Sequence, residues 1–173
     1  PFTPPSATII ENGVMCLTMP NSARQNPLVK STEWMHQRDE IKQSDAYETL
    51  LLNKEWAILE GTSSNFYAIW NKPEPETGLV LYTASEGVLG GIARQIVLDI
   101  LLDLPYEITV RLRPITIWDV PHIHEAFITS SSRGIIPVVK IDNYTIGDGR
   151  VGKITTHLRE AYQAWVDGHL EEL

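Results

Sequence analysis

A lysine in the run Pro27-Leu-Val-Lys30-Ser31 precedes, by thirty residues, the carboxylate that opens Glu60-Gly-Thr-Ser-Ser-Asn-Phe-Tyr67. An amine can hold an aldehyde as a Schiff base, and a carboxylate can keep a heteroaromatic ring nitrogen protonated, so that the ring draws electrons. Together the two residue types suit pyridoxal phosphate chemistry. Among the six lysines, Lys42 falls on a charged helical face, Lys54 and Lys72 in polar turns and Lys140 near a strand end, all settings that solvate an ammonium. Lys30 differs, with Leu28 and Val29 before it and Ser31 and Thr32 after it, where partial burial makes an amine nucleophilic. On local grounds alone both groups are also ordinary surface charges. A lysine at a strand end extends to water, and Glu60, carried to the rim of a sheet by the strand before Gly61, is expected to be hydrated unless a cation compensates its burial.

Two segments have the composition of an anion cradle. Gly87-Val-Leu-Gly-Gly-Ile92 leads into a helix, so Gly91, Ile92 and Ala93 can turn free backbone amides toward a phosphate. Thr129-Ser-Ser-Ser132 ends a strand and offers hydroxyls and amides. Neither is a dinucleotide fingerprint or a P-loop, and a serine run is also an ordinary polar turn. Thr62, Ser63, Ser64 and Asn65 are turn formers first and ligand donors second. The five histidines carry no metal pattern; His122 and His124 are expected on one strand face without a third ligand. No Gly-X-Ser-X-Gly elbow supports serine hydrolysis.

The elements that must position these groups follow from periodicity. Residues 1–6 are proline-rich and read as an extended lead-in. Ala7 to Thr18 reads as two short strands turning at Asn12-Gly13. A capped helix is expected from Glu33 to Ser44. Tyr47–Leu52, Trp56–Glu60 and Asn65–Trp70 read as a meander, with Leu79–Thr83 as a further strand. Ala93–Leu102 has the apolar spacing of a buried helix that ends before Pro105. Strands at Glu107–Arg113, Ala126–Ser130 and Ile135–Ile141, a short helix before Pro121 and a last helix from Ile154 to Leu170 complete an α/β domain with a mixed sheet.

With 43% hydrophobic and 21% charged residues in 173, the composition is that of one globular domain with a buried core. A formal charge of -8 argues against general affinity for nucleic acid or anionic membranes, and no apolar run reaches the roughly 18 residues of a membrane span. The single cysteine, Cys16, excludes an internal disulfide and fits a reducing compartment, with a small buried hydrophobe as its plain role. A cytoplasmic location is expected, or an organelle after processing, because the chain starts at proline and no signal peptide is visible.

Lys30, Glu60-Gly-Thr-Ser-Ser-Asn-Phe, Gly91-Ile-Ala-Arg94, Glu125 to Val138 and Ile146-Gly-Asp-Gly-Arg-Val-Gly-Lys-Ile-Thr155 follow one another in an order and spacing that resemble the class IV aminotransferases. That family includes branched-chain aminotransferase, D-amino acid aminotransferase and aminodeoxychorismate lyase. The resemblance runs from about residue 8 to about residue 165. It implies a mixed sheet partly closed as a pseudo-barrel with flanking helices, and pyridoxal 5′-phosphate as cofactor. By the same resemblance Lys30 forms the cofactor's Schiff base and moves the proton, Glu60 pairs with the pyridine nitrogen, and Leu89 packs on the ring. Gly91, Ile92, Ala93, Ser130 and Ser131 would hold the phosphate, with Ser63 a further contact to the cofactor. Ser132 and Arg133 would turn amides to a substrate carboxylate. Where the family usually has threonine, Ala93 keeps the amide and loses a hydroxyl contact, a loss of roughly 1 kcal/mol.

The resemblance also implies that residues 8–173 are the larger, cofactor-binding domain and residues 1–7 an interdomain linker. The family's smaller N-terminal domain, which supplies a phosphate-binding arginine, has no counterpart in this sequence. The expected partners are an amino acid and a 2-oxo acid, with a homodimer or a separate N-terminal domain chain completing the site and neither nucleic acid nor membrane involved. A lyase of the aminodeoxychorismate type and a catalytically silent binding fragment are the other readings.

Overall fold

The computed structural model describes residues 4–24, 34, 36, 40, 41, 45–71 and 78–169. Helix α1 (Ala7–Asn12) leads into strand β1 (Val14–Met19), followed by β2 (Glu48–Leu52), β3 (Ile58–Gly61), β4 (Asn65–Asn71) and β5 (Leu79–Tyr82). Helix α2 (Ile92–Ile100) continues as one 3₁₀ turn, Leu101–Asp103, before β6 (Ile108–Arg111) and a 3₁₀ helix, Ile117–His122. Strands β7 (Glu125–Ser130), β8 (Gly134–Ile141) and β9 (Tyr144–Thr145) precede helix α3 (Lys153–Gly168).

The nine strands among the described residues form one mixed sheet. Along the order β3-β2-β1-β8-β7-β4 the sheet curls until β3 meets β4, which closes a six-stranded barrel; β5 and β6 extend outward from β4, and β9 pairs β8. Strand β1 lies parallel to both its neighbours, while β2–β3, β4–β7 and β7–β8 are antiparallel. The closure rests on the cross-strand pair Glu60 and Asn65.

Alternation along the strands assigns two cores. Phe66 and Ala68 of β4, Ala126 and Ile128 of β7, and Ile136 and Val138 of β8 pack with Val14, Cys16, Leu50 and Leu52 inside the barrel. Their neighbours Tyr67, Ile69, Phe127 and Ile135 face outward onto α2 and α3, against Ala93, Val97, Ile154 and Leu158. Because both faces of β2 are covered, Glu48-Thr-Leu-Leu-Leu52 is buried at every position and reads as a run, not an alternation. Glu48 shares the face of Leu50 and Leu52 and so stands at the barrel mouth, only 3% exposed. Among the described residues no helix is long and apolar enough to cross a membrane.

The structure corrects three expectations. Residues 7–18 are a helix and one strand, not a hairpin: Ser6 caps α1 through Ile9 N, and Gly13, at φ 70°, returns its amide to Ile9 O. A positive φ serves a hairpin turn and a helix end equally, and Ile9 and Ile10 packing against the barrel core decides for the helix. The short helix does not stop before Pro121. Thr116 and Asp119 form a reciprocal cap and the turn runs on to His122, so His122 and His124 share no strand face. Glu60, expected hydrated at a rim, is 3% exposed. Most of the helix expected over 33–44 lies outside the described residues, as does Lys30; Trp34, His36, Glu40 and Ile41 are helical.

Candidate active site

Glu60, one residue before the end of β3, has its carboxylate held from two sides. Oε2 accepts the Leu89 amide at 3.0 Å, and Oε1 meets Arg24 Nη1 at 3.5 Å. Arg24 lies with its guanidinium 4.9 Å from the centroid of the Trp34 ring, and the indole N–H of Trp34 donates to Thr62 O at 3.0 Å. Asn65, across the strand pair from Glu60, donates through Nδ2 to Leu89 O at 2.8 Å. The two residues that close the barrel therefore grip the same residue, Leu89, by its amide and its carbonyl, which fixes the turn leading to α2.

These groups line one cavity of about 510 Å³, together with Gly61, Ser63, Ser64, Gly91, Thr129, Ser130, Ser131 and Ser132. Gly91, the N-cap of α2, lines the cavity, and among the described residues no side chain caps that helix, which leaves its first-turn amides without an intrahelical partner. A Cβ at Gly91 would lie 2.8 Å from Asn65 Oδ1, so backbone and floor meet only because the residue is glycine. Ile92 is 71% exposed and can contribute only its amide, while the Ala93 side chain is buried against α3. In the same lining, Thr129 is buried, Ser131 and Ser132 are exposed, and the turn is closed by Arg133 N donating to Ser130 O at 3.2 Å.

The cavity thus combines a buried carboxylate with the N-cap residue of α2 and the hydroxyls of Thr129–Ser132. Of the residues singled out in the sequence, Glu60, Ser63, Leu89, Gly91, Ser130, Ser131 and Ser132 line it, while Ile92, Ala93 and Arg133 do not. The Arg133 guanidinium is turned to Glu48 and Ser63. Arg24 and Trp34 had no assigned role from sequence, and Asn65 was expected as a turn former first and a ligand donor second. For Arg24 the only signal was indirect: a buried Glu60 requires a cation, and one lies 36 positions earlier in the chain.

The carboxyls of Glu48 and Glu60 shift in opposite directions. At Glu60 desolvation outweighs the Leu89 amide and the Arg24 charge and raises the carboxyl above 4.5. At Glu48 burial acts in the same direction, but the Thr62 hydroxyl, the Arg133 charge and the Ser63 hydroxyl outweigh it and hold the carboxyl below 4.5. The Glu48 contribution to stability is therefore present above 4.5 and lost as pH falls through its folded value; the Glu60 contribution is lost as pH rises from 4.5 through its raised value. Urea unfolding between about pH 3 and pH 7 checks this. Glu48→Gln is expected to flatten the acid-side decline and Glu60→Gln the decline on the other side; equal slopes in both variants would contradict the assignment.

Residues 1–141 match the family model for amino-transferase class IV. The chain belongs to that family. It is 33% identical over 124 residues to a probable branched-chain-amino-acid aminotransferase of Aquifex aeolicus, covering 72% of this chain and 38% of the relative. Against D-alanine aminotransferase of Staphylococcus aureus it is 32% identical over 114 residues, covering 65% and 37%. A solved branched-chain amino acid aminotransferase with pyridoxamine 5′-phosphate superimposes with a TM-score of 0.79 at 26% identity, over 95% of this chain and 54% of that one. A putative branched-chain amino acid aminotransferase from Thermotoga maritima gives 0.75 at 26%, over 99% and 60%. The chain thus spans between about a third and three fifths of the length of these class IV proteins. The family's cofactor is pyridoxal 5′-phosphate.

Proposed function

We propose that this class IV chain is the cofactor-holding domain, residues 8–173, of an enzyme that transfers an amino group between an amino acid and a 2-oxo acid with pyridoxal 5′-phosphate. The observation that supports the proposal is the composition of the cavity: a buried carboxylate, Glu60, shares one lining with the N-cap residue of α2 and the Thr129–Ser132 hydroxyls. A cofactor with a protonatable ring nitrogen and a phosphate matches both kinds of group. Glu60 has lone pairs left beyond its bonds to Leu89 and Arg24, so it fits a further donor.

When bound, the cofactor supplies an electron-withdrawing ring that stabilises negative charge at the substrate carbon. The chain's own residues then divide the work. Glu60 holds a proton on the ring nitrogen, and Leu89, fixed by Glu60 and Asn65, packs on the ring face. The amides of Ile92 and Ala93 and the hydroxyls of Ser130 and Ser131 bind the phosphate, and Ser132 directs its amide to the substrate carboxylate. Lys30 supplies the amine that holds the cofactor and carries the proton.

Borohydride reduction of the protein after loading with pyridoxal 5′-phosphate is expected to fix the cofactor to Lys30, located by peptide mapping. Label on another lysine, or no absorbance band with excess cofactor, rejects the assignment. Amino-group transfer to 2-oxoglutarate is the expected activity; release of pyruvate in its place would favour the lyase reading.

A further inference from the structure

Glu48 stands outside the cavity lining, yet its carboxylate accepts from Thr62 Oγ1, from Ser63 Oγ at 2.8 Å, from Ser64 Oγ at 3.1 Å and from Arg133 Nη2 at 3.0 Å. Arg133 also donates through Nη2 to Ser63 Oγ at 2.8 Å and Ser63 O at 3.1 Å, and through Nε to Ser130 Oγ at 3.0 Å. Its guanidinium lies 5.5 Å from the Tyr47 ring centroid. One ion pair thus ties together the two polar connections of the cavity, 62–64 between β3 and β4 and 130–133 between β7 and β8.

The direction of these bonds has a chemical consequence. A guanidinium only donates and a carboxylate only accepts. Ser63 Oγ receives Arg133 and gives its single proton to Glu48, so no hydroxyl proton is left for a ligand. Ser130 Oγ receives Arg133 Nε, so its own proton is directed away from Arg133. Ser130 lines the cavity. We propose that Arg133, anchored by Glu48, is a positioning residue that orients Ser130 as a hydroxyl donor to an anionic phosphate ester in the cavity, while Ser63 serves the frame and not the ligand. This rests on the reading of that part of the cavity as the phosphate site.

The test compares binding of pyridoxal 5′-phosphate with binding of pyridoxal, which lacks the phosphate, by absorbance titration of the intact protein. Wild type is expected to prefer the phosphorylated compound. In Arg133→Lys, which keeps a charge for Glu48 but has no Nε for Ser130, the preference should fall about tenfold, with pyridoxal affinity little changed. Ser130→Ala should lose as much, and the double variant no more than Ser130→Ala alone. Arg133→Lys with an unchanged preference, or with equal weakening of both compounds, overturns the inference while leaving the phosphate site standing. Wild type without any preference overturns the phosphate site and the inference together. Glu48→Gln provides a second route to the same readout and should lower the preference in the same direction.

Discussion

In the intact protein, Glu60→Gln is expected to lower amino-group transfer at saturating pyridoxal 5′-phosphate by about 100- to 1,000-fold, the scale for removing one preorganised electrostatic partner of a charge in the reaction. The substitution preserves shape and the Leu89 contact, because the amide oxygen can still accept that N–H at the 3.0 Å now spanned by the carboxylate. Under the proposed reading it removes the charge that would keep a ring nitrogen protonated. Arg24, whose side chain is 6% exposed, then faces a neutral amide, so some stability is lost as well. Measuring turnover against cofactor concentration separates the two effects: the deficit must persist at saturation. Glu60→Asp, which retains charge with a shorter reach, should recover part of the rate. A Gln variant within a few-fold of wild type would remove Glu60 from the chemistry.

The largest expected effect on stability comes from Gly152→Ala. Glu125, at the start of β7 and 6% exposed, crosses to the N-terminus of α3 and accepts from Ile154 N at 3.1 Å, Thr155 N at 2.7 Å and Thr155 Oγ1 at 2.7 Å. It acts as a cap borrowed from the sheet, and Gly152, the helix N-cap, has no side chain of its own in the way. A methyl group at 152 would fall within the Glu125 carboxyl group. Either that carboxylate leaves three donors, or the helix start moves off the barrel. Overpacking and loss of charge-assisted bonds together cost about 3–5 kcal/mol, or about 6–20 °C in Tm for a domain of this size. Thermal unfolding of the single variant tests this, with Thr156→Ala as a nearby control because its hydroxyl bonds only to Gly152 O among the contacts described. A shift below about 2 °C would show that Glu125 can leave its place without cost.

The sheet was legible in the sequence because its strands carry the expected signatures: β4 alternates between two cores, and Asn53 closes the turn after β2 with bonds to Glu55 N and Ala57 N. The helices α2 and α3 were legible from their apolar spacing. Closure into a barrel was visible only through the family resemblance, since the pairing of β1 with β8 joins segments as far apart in the chain as Val14 and Val138. Gly13 misled because one backbone conformation ends both hairpins and helices. At the site, residue types showed what could bind, but not which donors were already committed. Ser63 looked like a ligand contact, and its proton is held by Glu48. The role of Glu48 was hidden because a glutamate heading an apolar strand gives no sign of how many hydroxyls will converge on it.

The barrel is a hoop whose buckle is the Glu60–Asn65 pair, and that buckle is also part of the cavity floor. A molecule gripping Glu60 therefore tightens the same joint that keeps the hoop shut. Occupancy and closure are linked in free energy, so each favours the other by the same amount. For a class IV chain that holds its cofactor through Glu60 as proposed, loading the cofactor is therefore expected to stabilise the closed barrel.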